Sequence, residues 1–417
     1  MENVFKNRTI SHAIFYITLD PERALGIEDV LPYYTIICPY KSELVNKLKN
    51  RGVNIVVLED ELKQKEVAEA IKKGTYGILQ SDFVQRYITA NVHSRTPHIM
   101  ILKNSQLIEE FCKKLGWKLL APKAKVAEQF ENKISQYKIL RNKVPYPPTF
   151  IANVRAVYNT VFMNHDSRFI IHDSPFVLQF NRGHSGNTTF FINSKKDLEK
   201  LATKFPRREA KISECIKGKT FTLNCLAVKS GKVITGSISE QITGPKNATN
   251  NPNTTCGNDF TSPKKLSQKQ IKKIQEIAQS TGTALYKKGY RGLFGIDVII
   301  QNKTGKLYFI EVNTHQPASI SFEAKLHRQI GKMPLLAYFI LDSLSKEVKP
   351  TKRDLPPMVL QIKAKQIIYR NKTGKTLRLK DIEKKYKGKG LISRTKFIKP
   401  NEEIYRCQQW NNRKIGQ

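Results

Sequence analysis

The stretch GIDVIIQNKTGKLYFIEVNTHQPAS, residues 295–319, reads as two strands joined at a turn around NKTG. With residues 303–305 as a three-residue loop, Asn302 faces Lys306, and counting back along an antiparallel ladder brings Asp297 directly opposite Glu311. Alternation with a period of two then puts Asn313 on the same face as the two acids and turns Ile296, Val298 and Ile310 toward the core. Facing carboxylates repel, so such a pair weakens a sheet unless a cation or a shared proton compensates. With the amide oxygen of Asn313 they form a hard oxygen site suited to magnesium or manganese. The competing reading is two exposed acids paired with nearby lysines, because surface ion pairs are common and weak.

Upstream of this stretch, residues 267–288 are predicted to be a helix with Ile271, Ile274, Ile277 and Ala278 on one face; downstream, a single helix over 321–345 closes the region. The segment 243–264, rich in Asn, Thr, Pro and Gly, reads as a long surface loop. From residue 12 to about 129 the apolar runs AIFYITL, YYTIICPY, VNIVVLED, YGILQ and HIMIL alternate with helical patterns such as ELVNKLKNRG and SQLIEEFCKKLG. That is the rhythm of βαβ units around an open parallel sheet. ENKISQYKILRNKVPYPPTF then gives a short helix stopped by prolines, followed by strands and hairpins. Beyond Pro350 a small basic module contains a hairpin over 364–379 turning at residues 371–374. The organisation expected is residues 1–129, 130–348 and 349–417.

A chain of 417 residues with 40% hydrophobic content suffices for two or three domains with buried cores. Its 72 Lys+Arg against 35 Asp+Glu give a net charge of +37, a field that favours polyanions or acidic substrates. The basic residues run from end to end rather than forming one stripe with interleaved aromatics, so a Lys-rich solvated surface is the preferred reading over a nucleic-acid site. Six cysteines without CxxC or Cys/His spacing read as reduced thiols, and neither a membrane-length apolar run nor a secretory signal is present. A cytoplasmic protein is expected, with no membrane contact and an open oligomeric state. The GKT triplets at 218–220 and 374–376 are not Walker motifs, because Ser213 and Tyr369 stand where the earlier glycine is required.

The run 295–319 resembles the paired metal-binding strands of ATP-grasp enzymes, whose second strand carries Glu-x-Asn followed two residues later by Arg. The resemblance implies that Asp297 and Glu311 bridge two magnesium (or manganese) ions to the phosphates of ATP, with Asn313 on the second ion and His315 where the Arg is usual. FVLQFNRGHSGNTTFFI resembles the hairpin that covers the nucleotide, in which Gly183, Ser185 and Gly186 let backbone N–H groups approach phosphate. Gln179 stands there in place of the usual Lys, and Arg182 is a substitute cation. AKISECIKGKTFTLNCLAV is similar to the adenine-binding hinge, with Glu214 and the backbone of Ile216 at the adenine edge and Thr220 where a ribose-binding acid is usual. NKISQYKILRNKVPYP is similar to the linker that opens the domain, and implies a phosphate contact for Lys133.

Together these segments cover roughly residues 130–345. They imply an N-terminal parallel α/β layer, an ATP-grasp domain of two α+β subdomains and the basic C-terminal module. The activity implied is ADP-forming ligation, a carboxylate activated as an acyl phosphate and attacked by an amine of amino-acid or peptide type. His315, Arg182, Ser319 and the 243–264 segment would line the reacting side. Alternatives are a biotin-carboxylase-like enzyme, and a nucleotide- or nucleic-acid-binding protein that kept the fold and lost the reaction.

Overall fold

The computed structural model describes residues 12–92, 96–162, 175–181, 188–344, 351, 353–386, 397–411 and 413–414. Near the N-terminus, Ile14–Ile17, Tyr34–Cys38, Ile55–Val57, His98–Ile101 and Lys118–Leu120 form a parallel sheet. Its spatial order runs 55–57, 34–38, 14–17, 98–101, 118–120. Every residue of the first two strands is buried, as expected for a parallel sheet covered on both faces. The strand order reverses between Ile14–Ile17 and His98–Ile101, and such a switch point opens a crevice at the carboxyl ends of the strands.

YGILQ is not a strand but part of the helix Gly74–Gln80. A five-residue apolar run cannot be told from a buried helical turn by periodicity, and here Gly77 packs so closely that a Cβ would lie 2.0 Å from the Ala70 carbonyl oxygen.

Two antiparallel sheets follow. The smaller contains, in order, Thr149–Asn153, Glu209–Glu214, Phe176–Phe180 and Thr189–Ile192. The larger runs Leu307–Asn313, Gly292–Gln301, Gly218–Ala227, Val233–Thr243, Thr255–Asp259, Ala364–Arg370, Glu403–Trp410, Arg413–Lys414. Helix Gln268–Lys287, started by a capping box at Ser267 and Gln270, buries Ile274, Ile277 and Ala278 against it. Lys133–Leu140 is likewise helical and is N-capped by Asn132.

Three further expectations fail, two of them for tertiary reasons. The segment 243–264 is not one loop: Thr255–Asp259 forms a strand because neighbours on both sides, Val233–Thr243 and Ala364–Arg370, offer ladders to it. The helix over 321–345 is two, Ile320–Gln329 and Leu335–Leu344, broken where Gly331 takes a φ of 70° and Pro334 cannot continue an i→i−4 ladder. The second of them is apolar all round and lies between sheets, with Leu335 to Asp342 buried. The hairpin over 364–379 also fails. Its turn exists, held by Asn371 Nδ2 donating to the carbonyls of Lys375 (2.7 Å) and Ile398 (3.1 Å), but Ala364–Arg370 pairs with Glu403–Trp410 and Leu377–Arg378 with Phe397–Ile398. The segment after residue 349 therefore extends the larger sheet.

Candidate active site

Asp297 and Glu311 are direct cross-strand partners, and Thr222 completes the row on the other side of Asp297. The pairing arises differently from the count above. Gln301, not Asn302, meets Lys306, since its N–H donates to the Lys306 carbonyl, and Ile300 faces Leu307. The offset of one is then restored by an irregularity: Val298 faces Phe309 while Asp297 faces Glu311, so Ile310 is the extra residue of a bulge. Ile296 and Val298 are fully buried, whereas Ile310 is only half-buried, as befits a bulged position.

The row is polar and enclosed. Thr222 Oγ1 donates to Asp297 Oδ1 at 2.7 Å, Gln241 Nε2 donates to Thr222 Oγ1 at 2.7 Å, and Asn313 Nδ2 donates to Asp297 Oδ2 at 3.3 Å. Lys133, at the first position of its helix, binds Glu311 Oε2. That helix start is itself held by Asn181, whose carbonyl and side-chain oxygens accept from the N–H groups of Lys133 and Ile134. Gln136 stands in for a missing neighbour at the sheet edge, exchanging hydrogen bonds with the main chain of Val312 between Glu311 and Asn313.

Burial and the charge of Glu311 push the Asp297 carboxyl well above the usual carboxylate range. Burial also opposes charge on Glu311, but the Lys133 ammonium outweighs it and holds that carboxyl low. Glu311 thus has a cation in direct contact, whereas Asp297 meets only hydroxyl and amide donors. Among the described residues no group of three or more His, Cys, Asp and Glu gathers as a metal cluster. An ion on Asp297, Glu311 and the Asn313 amide would draw its other ligands from water and phosphate oxygens, which suits magnesium. The donor set fits.

His315 is anchored rather than free: its Nδ1 lies 2.7 Å from Glu131 Oε1. The same carboxylate accepts from the Thr314 N–H (2.9 Å) and from Lys103 (2.9 Å). Burial works against charge on Glu131, yet His315 and Lys103 prevail and hold it well below its ordinary value. The next residue, Gln316, accepts from the Tyr16 hydroxyl (2.8 Å), and its N–H donates to the Leu102 carbonyl. Tyr16 and Leu102 lie at the carboxyl ends of the two strands flanking the switch point, so the His315 loop borders that crevice.

Gln179 is buried in the smaller sheet, donating to Thr189 Oγ1 at 3.2 Å. Glu214 ends the neighbouring strand, partly exposed, with Ile216 just beyond. Arg182, Gly183, Ser185 and Gly186 lie outside the described residues. Sequence reading missed Thr222, Gln241, Glu131 and Lys211. Thr222 and Gln241 act through partners on other strands, which no local signal reveals; Lys211 is one lysine among many in a strongly basic chain.

The polar face continues past Asp297. Asn224 Nδ2 donates to Ser319 Oγ (2.9 Å) and Glu323 Oε2 (2.8 Å), the Ser237 N–H donates to Glu323 Oε1 (2.6 Å), and Ser237 Oγ lies 2.9 Å from His327 Nε2. Ser319 is therefore an internal bracing residue, and Gly236 must lack a side chain because a Cβ would sit 2.3 Å from Glu323 Oε1. Burial pushes Glu323 up to about 7 and His327 down to about 3. Folded Glu323 keeps a proton the unfolded chain gives up, so its stabilisation is full below its unfolded value and is lost as pH rises toward about 7. Folded His327 refuses a proton the unfolded chain takes, so its stabilisation is full above its unfolded value and is lost as pH falls toward about 3.

The two slopes oppose each other near pH ~5.5, each at most about 1.4 kcal/mol per pH unit. Glu323→Gln should make unfolding free energy rise more steeply with pH, and His327→Gln less steeply. Urea titrations between pH ~5 and ~6.5 measure both; parallel slopes in all three proteins would contradict this.

Residues 130–318 match the ATP-grasp domain family. These residues form an ATP-grasp domain. Its fold is similar to that of Campylobacter jejuni biotin carboxylase in a beta-gamma-ATP complex (TM-score 0.62, 16% identity, 95% of this chain and 86% of that one). It is also similar to the N5-carboxyaminoimidazole synthase of Aspergillus clavatus with ADP and 5-aminoimidazole ribonucleotide (0.61, 9%, 97% and 95%). A third likeness is to the biotin carboxylase domain of Hydrogenobacter thermophilus 2-oxoglutarate carboxylase with MgADP and bicarbonate (0.59, 13%, 95% and 85%). At these identities the likenesses establish the fold. No curated protein matches. Within the ATP-grasp domain the acid pair lies on the larger sheet, and Gln179, Lys211 and Glu214 lie on the smaller one. Among the described residues no helix is long and apolar enough to cross a membrane.

Proposed function

We propose that this chain is an ADP-forming ligase that uses ATP and magnesium (or manganese) to activate a small carboxylate as an acyl phosphate for attack by an amine. The observation that carries the reading is the opposition of buried Asp297 and half-buried Glu311 beside Lys133. Magnesium, when bound, neutralises charge on the transferring phosphoryl group. Asp297, Glu311 and Asn313 would hold it. Lys133 holds Glu311, and a phosphate entering the site would compete for the same ammonium.

The family resemblance assigns Gln179, Gly183, Ser185 and Gly186 to the phosphates, with Arg182 a further cation, and Glu214 and Ile216 to the adenine edge. His315, tethered through Nδ1, keeps Nε2 for the acceptor at the switch-point crevice. Excluding water there protects the acyl phosphate from hydrolysis.

The test is ADP release from purified protein with MgATP and pairs of carboxylates and amines, amino acids and peptides among them. ADP formation that needs both partners, and that stops when EDTA removes the metal, is expected. Release driven by bicarbonate alone would make the enzyme biotin-carboxylase-like. Nucleotide binding without any stimulated release would mark a protein that kept the fold and lost the reaction.

A further inference from the structure

Lys211 lies mid-strand in Glu209–Glu214 and is 3% exposed. A buried ammonium ordinarily has an acid beside it, because desolvating a lone charge is costly. Lys211 has no ion pair and no hydrogen bond from its ammonium among the described residues; its Nζ lies 5.3 Å from the Tyr146 ring centre. The nearest charges acting on it are Lys133, which repels it, and Glu311, which attracts it but is already bonded to Lys133. Burial and Lys133 together press the Lys211 amine down to about 7. Glu311 is bonded to Lys133 alone, so the Lys211 amine, enclosed over the Tyr146 ring, has no acid of its own among the described residues.

The register gives the direction. Lys211 is the direct cross-strand partner of Gln179, so both side chains stand on the same face of the smaller sheet. That face meets Tyr146, whose ring lies 5.1 Å from that of Phe309 on the larger sheet, whereas Ile212 and Ala210 on the opposite face pack into an apolar core with Leu178 and Phe180. Gln179 is neutral and is already engaged with Thr189. The cation available on this face is therefore one strand over from where the sequence directs attention.

Resting on the nucleotide reading above, we propose that Lys211 is a nucleotide-binding residue whose ammonium meets a phosphate oxygen from the smaller sheet, opposite the carboxylate pair. An anion there supplies the partner that Lys211 lacks, and Lys133 and Lys211 then grip the phosphates from two elements. A sequence built this way tolerates glutamine at 179 because the charge has moved to the adjacent strand.

The test uses the full-length protein and MgADP, read by calorimetric affinity and by thermal unfolding, so no turnover is needed. Lys211→Met should weaken MgADP binding on the order of ten- to a hundred-fold, the range for losing one charge-assisted hydrogen bond. The ligand-free variant should melt at or above the wild-type temperature, because an uncompensated buried amine has been replaced by an apolar chain of similar length. Moving the amine back, in the double variant Gln179→Lys/Lys211→Gln, should restore most of the affinity, since cross-strand Cβ atoms are only about 5 Å apart.

Unchanged MgADP affinity in both Lys211→Met and Lys211→Gln, with a wild type that binds, overturns this proposal alone. A lower melting temperature for ligand-free Lys211→Met with unchanged affinity assigns the residue to structure and also overturns it. No MgADP binding by the wild type overturns the nucleotide reading, and this proposal with it.

Discussion

Asp297→Asn should cut substrate-stimulated ADP release on the order of a thousandfold, the scale seen when one preorganised electrostatic group is removed from a reacting centre. The fold should survive. Asp297 is buried against Glu311, and its carboxyl is pushed upward by that burial and by the facing charge. An asparagine keeps an oxygen for the Thr222 hydroxyl at 2.7 Å and gains an N–H group that can donate toward Glu311, relieving the repulsion. Melting temperature should therefore hold or rise while turnover collapses.

Glu311→Gln should lose turnover to a similar degree but also lower the melting temperature, because Lys133, 16% exposed, then keeps its ammonium without its acid. Circular-dichroism melts beside the ADP assay separate the two effects. An Asp297→Asn enzyme within about tenfold of wild-type turnover would remove the acid pair from the mechanism.

Arg406→Met should destabilise the chain by about 3–5 kcal/mol, the usual cost of leaving buried charges uncompensated. Arg406 is completely buried. Its Nε and Nη2 donate to the two carboxylate oxygens of Glu403 at 2.6 and 2.9 Å, Nη2 also reaches Asp20 at 3.0 Å, and Nη1 binds Glu22. Burial disfavours its charge, but Glu22, Glu403 and Asp20 outweigh that and keep it firmly protonated. Removing the guanidinium leaves three carboxylates without their common cation.

The loss should reach the site as well. Glu22 and Asp20 flank the turn whose Arg23 carbonyl accepts from Gln316 Nε2 (2.6 Å) and Ser321 Oγ (3.2 Å), next to the His315 loop. Urea midpoints and m-values read the stability term; a shift under about 1 kcal/mol would show that the cluster is held by other contacts.

The opposition of Asp297 and Glu311 was legible because alternation with period two is a property of any strand, and because both acids interrupt apolar runs. The route to it was not legible. A turn one residue longer than counted and a bulge at Ile310 cancel, and a bulge is set by how the strand must bend against its neighbours. The helix over 267–288 was legible from the spacing of its isoleucines, which falls on one face. Lys211 was not. Its sequence neighbours Ile212 and Ser213 say that it alternates, but not that its face is roofed by Tyr146.

Residue order alone settled some segments: four of the five apolar runs read as strands of the parallel layer, the helix over 267–288, and the strand pair carrying two acids and an amide. Those properties arise from hydrogen bonds and side-chain alternation over a few neighbouring residues. Which strand lies beside which, and hence the partners of Thr222, Lys211 and Arg406, was settled by packing. Arg406 and Glu22 stand 384 positions apart, and a buried guanidinium finds its acids only when the sheets that carry them close over the same core.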